Sequence, residues 1–214
     1  MQDNENRNPW LSIPASDYEA HMGESGAKQL PLLSKAFKDL LEEFRPESVA
    51  VLGCATGNGF EHVEADVTGL LVGIDINPEY LDVARSRFEA KIPNLQLFCS
   101  DISKIVLEPR TIDLVSCGLF FEHVDPELVI AKVFRWLKPG GVFGTVVQLP
   151  SATGRSVADT GIESVKALES SARLIDPQLL RDLAEKAGFH QLEAKTVALE
   201  TGTSFQVLVY RLKS

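Results

Sequence analysis

The chain has 214 residues, 44% hydrophobic and 24% charged, with 21 Lys and Arg against 30 Asp and Glu and a net charge of −9. This is the make-up of one ordinary globular domain with a substantial core, and an acidic balance with no basic run interleaved with aromatics disfavours a nucleic-acid partner. No apolar run approaches bilayer length and the N-terminus is too polar for a secretory signal, so no membrane partner is expected and the cytoplasm is the expected compartment.

Met1 to Asn8 is polar and expected to be disordered, whereas Pro9 to Ala27 mixes Trp10, Ile13, Tyr18, His21 and Met22 with small and acidic residues, as in a partly helical segment docked on the domain. Leu30, Leu33, Phe37, Leu40, Leu41 and Phe44 recur at helical spacing and predict a helix that stops before Pro46. Residues 1–45 are thus expected to be a tail and docking helix capping the site, and 46–214 a single domain. Val49 to Leu52 reads as a buried parallel strand, with Gly53, Ala55, Gly57 and Gly59 at every second position beyond its end. Such a turn lets a ligand lie against backbone N–H groups, although it also suits a tight strand-to-helix connection with no ligand.

A short helix is expected over Asn58 to Ala65, a second strand over Leu70 to Asp75, and a helix capped by Asn77-Pro78 that carries Leu81, Ala84 and Phe88 on one face. Leu95 to Cys99 and Thr111 to Cys117 read as the third and fourth strands. Asp125-Pro126 opens a helix that Lys138-Pro-Gly-Gly141 stops, and Val142 to Leu149 is the fifth strand. Residues 150–175, with a short helix over Ile162 to Ser171, are long enough to suggest a lid insertion. Asp176-Pro177 starts the last helix, and Gln191 to Leu199 and Ser204 to Leu212 form an antiparallel hairpin around Glu200-Thr-Gly-Thr203. The alternation predicts a Rossmann-like, doubly wound α/β fold: a mostly parallel seven-stranded sheet with an antiparallel C-terminal hairpin.

Cys54, Cys99 and Cys117 have no CxxC spacing and are odd in number, which argues against disulfides or a structural zinc site; they read as small residues packed near strand ends, and no metal is expected. Ligands of such sheets bind at the carboxyl ends of the strands. Asp75 lies 22 residues after Gly53, where an acid can accept both hydroxyls of a ribose. Between Pro46 and Ala84 there is no Lys or Arg, no P-loop lysine, and no third glycine to complete GxGxxG. A nucleoside without phosphates fits this span best, though helix N-terminal amides leave a dinucleotide open.

These stretches resemble the class I S-adenosylmethionine-dependent methyltransferases. Val-Leu-Gly-Cys-Ala-Thr-Gly-Asn-Gly looks like their first motif, Gly-Ile-Asp-Ile-Asn-Pro (73–78) the second, Cys-Ser-Asp-Ile (99–102) the third, Ile-Asp-Leu-Val-Ser-Cys (112–117) the fourth, and Trp-Leu-Lys-Pro-Gly-Gly (136–141) the turn before the fifth strand. The resemblance covers about Val49 to Leu149. It implies S-adenosylmethionine as cofactor, with Gly53, Cys54 and Ala55 facing its methionine part and Gly57 also in the cofactor-binding loop. It further implies Asp75 on the ribose, Ile76, Asp101 and Ile102 around the adenine, and Cys117 and Gly118 beside the sulfonium. Two positions depart from the family pattern: Val51 stands where an acidic residue is usual, and Ala55 replaces the second glycine.

The implied reaction is an in-line methyl transfer to a small-molecule acceptor, in which the protein chiefly positions the partners. His123 is the candidate base, although it equally suits a surface or helix-entry role. Phe120 is expected in the acceptor wall, Tyr18 and His21 in the lid, and Arg155 on an acceptor carboxylate. A homodimer, a non-catalytic protein binding S-adenosylmethionine or S-adenosylhomocysteine, and an NAD-dependent enzyme on a similar fold stay open at this point.

Overall fold

In the computed structural model of the chain, residues 8–23, 25–150 and 156–213 are described. Residues 1–7, expected to be disordered, and Arg155 lie outside them. Strands β1 (Ser48–Leu52), β2 (Leu70–Asp75), β3 (Leu95–Cys99), β4 (Ile112–Gly118) and β5 (Leu137–Gln148) run parallel. β6 (Phe189–Ala198) and β7 (Ser204–Leu212) form the reversed hairpin, and the sheet order is β3-β2-β1-β4-β5-β7-β6. The doubly wound sheet read from the alternation is therefore the observed one. Its strand order reverses between β1 and β4, which opens a crevice at their carboxyl ends.

The helices are α1 (Ala15–Met22), α2 (Gln29–Phe44), α3 (Pro78–Phe88), α4 (Pro126–Trp136) and α5 (Pro177–Lys186). The last three begin at Pro, preceded by Asn77, Asp125 and Asp176, whose side chains accept a first-turn N–H. Pro supplies the helical φ and the Asx residue satisfies an orphan amide, so these starts are fixed locally. On one face of the sheet Phe37, Leu40 and Leu41 of α2 pack on Val49, Leu71 and Leu114. On the other, Ile130, Val133 and Trp136 of α4 pack with Leu180 and Ala184 of α5 on Ala50, Val115 and Phe143. At the amino edge, Asp113 Oδ2 accepts from Ser48 N–H (3.0 Å), Ser48 Oγ (2.7 Å) and Lys138 Nζ (2.9 Å), which ties the registers of β1, β4 and β5 together.

Three sequence expectations change. The helix expected over Asn58 to Ala65 is only a 3-10 turn at Phe60–His62, because Gly57 and Gly59 take φ of +84° and +89° and break any right-handed run. β5 starts at Leu137 rather than Val142, since Leu137 already pairs with Ile112 across a register shift. Cys54 and Cys117 are buried as expected, but Cys99 is exposed on edge strand β3.

Candidate active site

The crevice at the β1/β4 reversal is a cavity of about 230 Å³, many times the roughly 10–15 Å³ that holds one water. Its floor is the loop after β1. Gly53 and Ala55 both lie in the left-handed region, at φ +63° and +45°. A Cβ on Gly53 would fall 2.7 Å from the Phe120 ring, so glycine is required there on two counts. Ala55 keeps the glycine-like backbone at a cost of about 1 kcal/mol, and its N–H donates to Asp75 Oδ2 at 2.9 Å. Asp75 Oδ1 accepts from Asn77 N–H at 2.9 Å, so the loop and the end of β2 hold the carboxylate from both sides. Asp75 is 8% exposed, and burial pushes its carboxyl up against the pull of those amides. Each of its oxygens retains acceptor capacity, as a pair of ribose hydroxyls requires.

Ile76, Asp101 and Ile102 line the adjoining wall. Hydrogen bonds from Ser103 hold Asp101 below the ordinary carboxylate range, its backbone N–H at 2.7 Å from Oδ1. Opposite, Cys117 and Gly118 end β4. Burial pushes the Cys117 thiol up to about 12, and Sγ donates to Thr145 Oγ1 at 3.3 Å, so it is a neutral wall atom rather than a nucleophile. No Lys or Arg lines the cavity among the described residues. A neutral adenosine carrying a zwitterionic tail fits this donor and acceptor set, whereas a pyrophosphate would find no cation.

Residues 8–22 close the top. Asn77 Nδ2 donates to the carbonyls of Trp10 (2.8 Å) and Ile13 (3.3 Å), Ala15 N–H to Glu79 Oε1 (2.9 Å), and Thr56 Oγ1 to Glu19 Oε1 (2.7 Å). Ile13, Tyr18 and Met22 pack with Tyr80, Val165 and Leu168. His21 Nδ1 lies 2.7 Å from Thr160 Oγ1, and Ser164 Oγ donates to Asp17 at 2.6 Å, so the two covering segments grip each other. Tyr18 and His21 both line the cavity, and burial raises the Tyr18 phenol and lowers the His21 imidazole.

All but two of the residues singled out from sequence meet in this cavity. Gly57 lies outside it: a Cβ there would fall 2.8 Å from Phe88, so its place is in the turn's packing. Arg155 is not among the described residues. His123 lines the cavity with its ring edge-on to Trp10 at 5.1 Å, and burial lowers its pKa to about 4; Asp125, not His123, caps α4. Phe121 is core against Phe143. Val51 packs against the cluster that includes Phe37 and Leu40 of α2, and Ser116 and Gly144 continue its row across β4 and β5. An acid at position 51 would meet that apolar layer. Sequence reading brought Glu122 to the cleft only as a companion of His123 and assigned it no role of its own; Gln148 was read only as the start of the connection after β5.

Residues 50–145 match the family model described as a methyltransferase domain. An uncharacterized methyltransferase-like protein of Schizosaccharomyces pombe is 30% identical over 110 residues, 50% of this chain and 41% of the relative. A ubiquinone biosynthesis O-methyltransferase of Coxiella burnetii is 28% identical over 150 residues, 66% of this chain and 63% of the relative. The chain thus spans less than two thirds of these relatives. Magnesium protoporphyrin IX methyltransferase from Synechocystis with bound S-adenosylhomocysteine superposes with TM-score 0.72 at 14% identity, covering 97% of both chains. The [4+2]-cyclase SpnF superposes with TM-score 0.67 at 15% identity over 84% of this chain and 80% of that one, so the shared fold by itself does not specify methyl transfer. The matched methyltransferase domain lies on the cavity-forming strands, and together with these relatives it supports a class I S-adenosylmethionine-dependent methyltransferase.

Proposed function

We propose that the chain transfers a methyl group from S-adenosylmethionine to a small-molecule acceptor. The observation that carries this reading is the convergence of the Gly53–Ala55 loop, Asp75 and Asp101 on one cavity with no lining Lys or Arg among the described residues. When bound, S-adenosylmethionine supplies a methyl already activated on a sulfonium. Asp75 would take the ribose hydroxyls and Asp101 the adenine amino group. Ile76 and Ile102 would bracket the ring, Gly53 to Ala55 would lie along the methionine part, and Cys117 and Gly118 would flank the reacting carbon. Residues 8–27 and the segment from 156 to about 175 would serve as the cap that excludes water and holds the acceptor in line, a proximity effect that can supply much of the rate. His123, neutral at pH 7, would shape the acceptor wall with Trp10 and Phe120. Three unpaired thiols support a reducing compartment and hence the cytoplasm.

Titration calorimetry of the full chain with S-adenosylhomocysteine and with NAD tests the cofactor. Binding of the first and not the second is expected; NAD binding alone would overturn the assignment. Product S-adenosylhomocysteine accumulating with some member of a broad acceptor panel separates an enzyme from a non-catalytic binder.

A further inference from the structure

Glu122 is a buried carboxylate with half of its chemistry unused. It sits in the 3-10 turn Phe121–His123 just after β4, is 6% exposed and lines the same cavity as Cys117 and Gly118. Oε1 accepts the N–H of Gln148 at 3.0 Å, from the end of β5. Its carbonyl accepts the N–H of Arg173 at 2.9 Å, which fixes the turn against the segment leading to α5. Oε2 is buried and has no hydrogen-bond partner among the described residues. A carboxylate offers about four acceptor positions, and leaving one oxygen of a buried one unmatched is costly. The surroundings supply no compensation: the facing Cys117 thiol and His123 ring are neutral at pH 7, and no Lys or Arg lines the cavity among the described residues.

We propose that Glu122 Oε2 binds the acceptor atom that is to be methylated, and that this atom is an oxygen or nitrogen carrying a proton when it binds. The inference rests on the methyltransferase reading and narrows its substrate class to hydroxyl and N–H acceptors. The acceptor's proton passes to Oε2, the lone pair it leaves forms the new bond to the methyl carbon, and the electron pair of the broken carbon–sulfur bond stays on sulfur. Burial pushes the Glu122 carboxyl up to about 7, which suits a group that takes up a proton near neutrality.

The test uses the full chain with S-adenosylhomocysteine added and three probe pairs differing only in the donor: phenol and anisole, catechol and veratrole, aniline and N,N-dimethylaniline. Carbon-13 NMR of glutamate-labelled protein, with the Glu122 resonance assigned by its loss in Glu122→Gln, follows the carboxyl directly. Titration near pH 7 is expected, with a shift on adding at least one donor probe and none with its methylated partner. The donor should bind about tenfold tighter than that partner, as one hydrogen bond to a charged group implies, and Glu122→Gln should abolish the preference while S-adenosylhomocysteine still binds. Equal affinity within every pair, or a preference that survives Glu122→Gln, overturns the proposal. Failure of S-adenosylhomocysteine to bind the wild-type chain would instead overturn the cofactor assignment. Should Glu122→Gln not fold, Glu122→Asp takes its place, both to assign the Glu122 resonance by its loss and to test the preference.

Discussion

The ends of β2 and β4 each present a buried carboxyl to the same cavity, and the two are finished differently. Asp75 has a backbone N–H on each oxygen, from Ala55 and Asn77, so the protein itself completes its setting. Glu122 has one, from Gln148, and its other oxygen is bare. Burial raises both carboxyls, but only the β2 side places an amide hydrogen bond on each oxygen. A site whose polar groups are satisfied before the ligand arrives is suited to one constant ligand. A site with an open acceptor waits for the molecule that completes it.

The largest effect expected from breaking this contrast is at Asp75. Replacing it with Ala would remove the two charge-assisted hydrogen bonds proposed to the ribose, about 3–6 kcal/mol together, so calorimetry should show S-adenosylhomocysteine affinity falling by two or more orders of magnitude with the circular dichroism spectrum retained. Unchanged affinity would sink the ribose assignment.

Next comes the pH dependence that belongs to Glu122. Its carboxyl is raised from 4.5 to about 7 on folding, so between those values the folded chain binds more protons than the unfolded one and stability falls as pH rises. The loss is complete above about pH 7 and amounts to roughly 3 kcal/mol. Glu122→Gln should remove that slope, so its melting temperature relative to wild type should climb between pH 5 and 8 by about 6–12 °C. Asp75, raised in the same direction, leaves a residual slope in both proteins. Parallel curves for the two proteins would show that Glu122 does not titrate in this window.

Asn77→Ala should cost about 1–2 kcal/mol, from loss of the α3 cap and of the two bonds to Trp10 and Ile13, and should speed proteolysis within residues 8–27. The smallest change is expected at Glu19. Its pairing with Arg87 is half exposed, so Glu19→Ala should alter stability by less than about 1 kcal/mol in urea titration, and the loss of the Thr56 bond should show mainly as weaker retention of S-adenosylhomocysteine.

The half of the cavity built on β1, β2 and β3 was legible because it is written in local signals. Leu70–Asp75 and Leu95–Cys99 are apolar runs that emerge as strands with those same bounds, and Asn77-Pro78 and Asp125-Pro126 start helices by their own side chains. The half around Trp10, Glu122 and His123 depends on contacts between distant segments. Trp10 reaches His123 across 113 positions, and Glu122 is buried by the end of β5 and the approach to α5, which no periodicity announces. His123 is the candidate base by sequence because it follows the fourth strand and could reach the cleft with Glu122. Burial beside Trp10 lowers it to about 4, while its neighbour Glu122 rises to about 7. The missing helix after β1 fails for a third reason, since two glycines in the left-handed region override a sequence otherwise able to be helical.

The absence of lining cations among the described residues has a consequence for competition. Nucleoside phosphates share the adenosine half of the cofactor, so shape and ribose contacts alone would admit them. In a chain of net charge −9 they meet repulsion on approach and, on arrival, a buried carboxylate with one oxygen unmatched among the described residues. Discrimination of this kind acts through Coulomb exclusion and should weaken as salt is added, whereas retention of S-adenosylhomocysteine, a zwitterion of zero net charge, should respond far less.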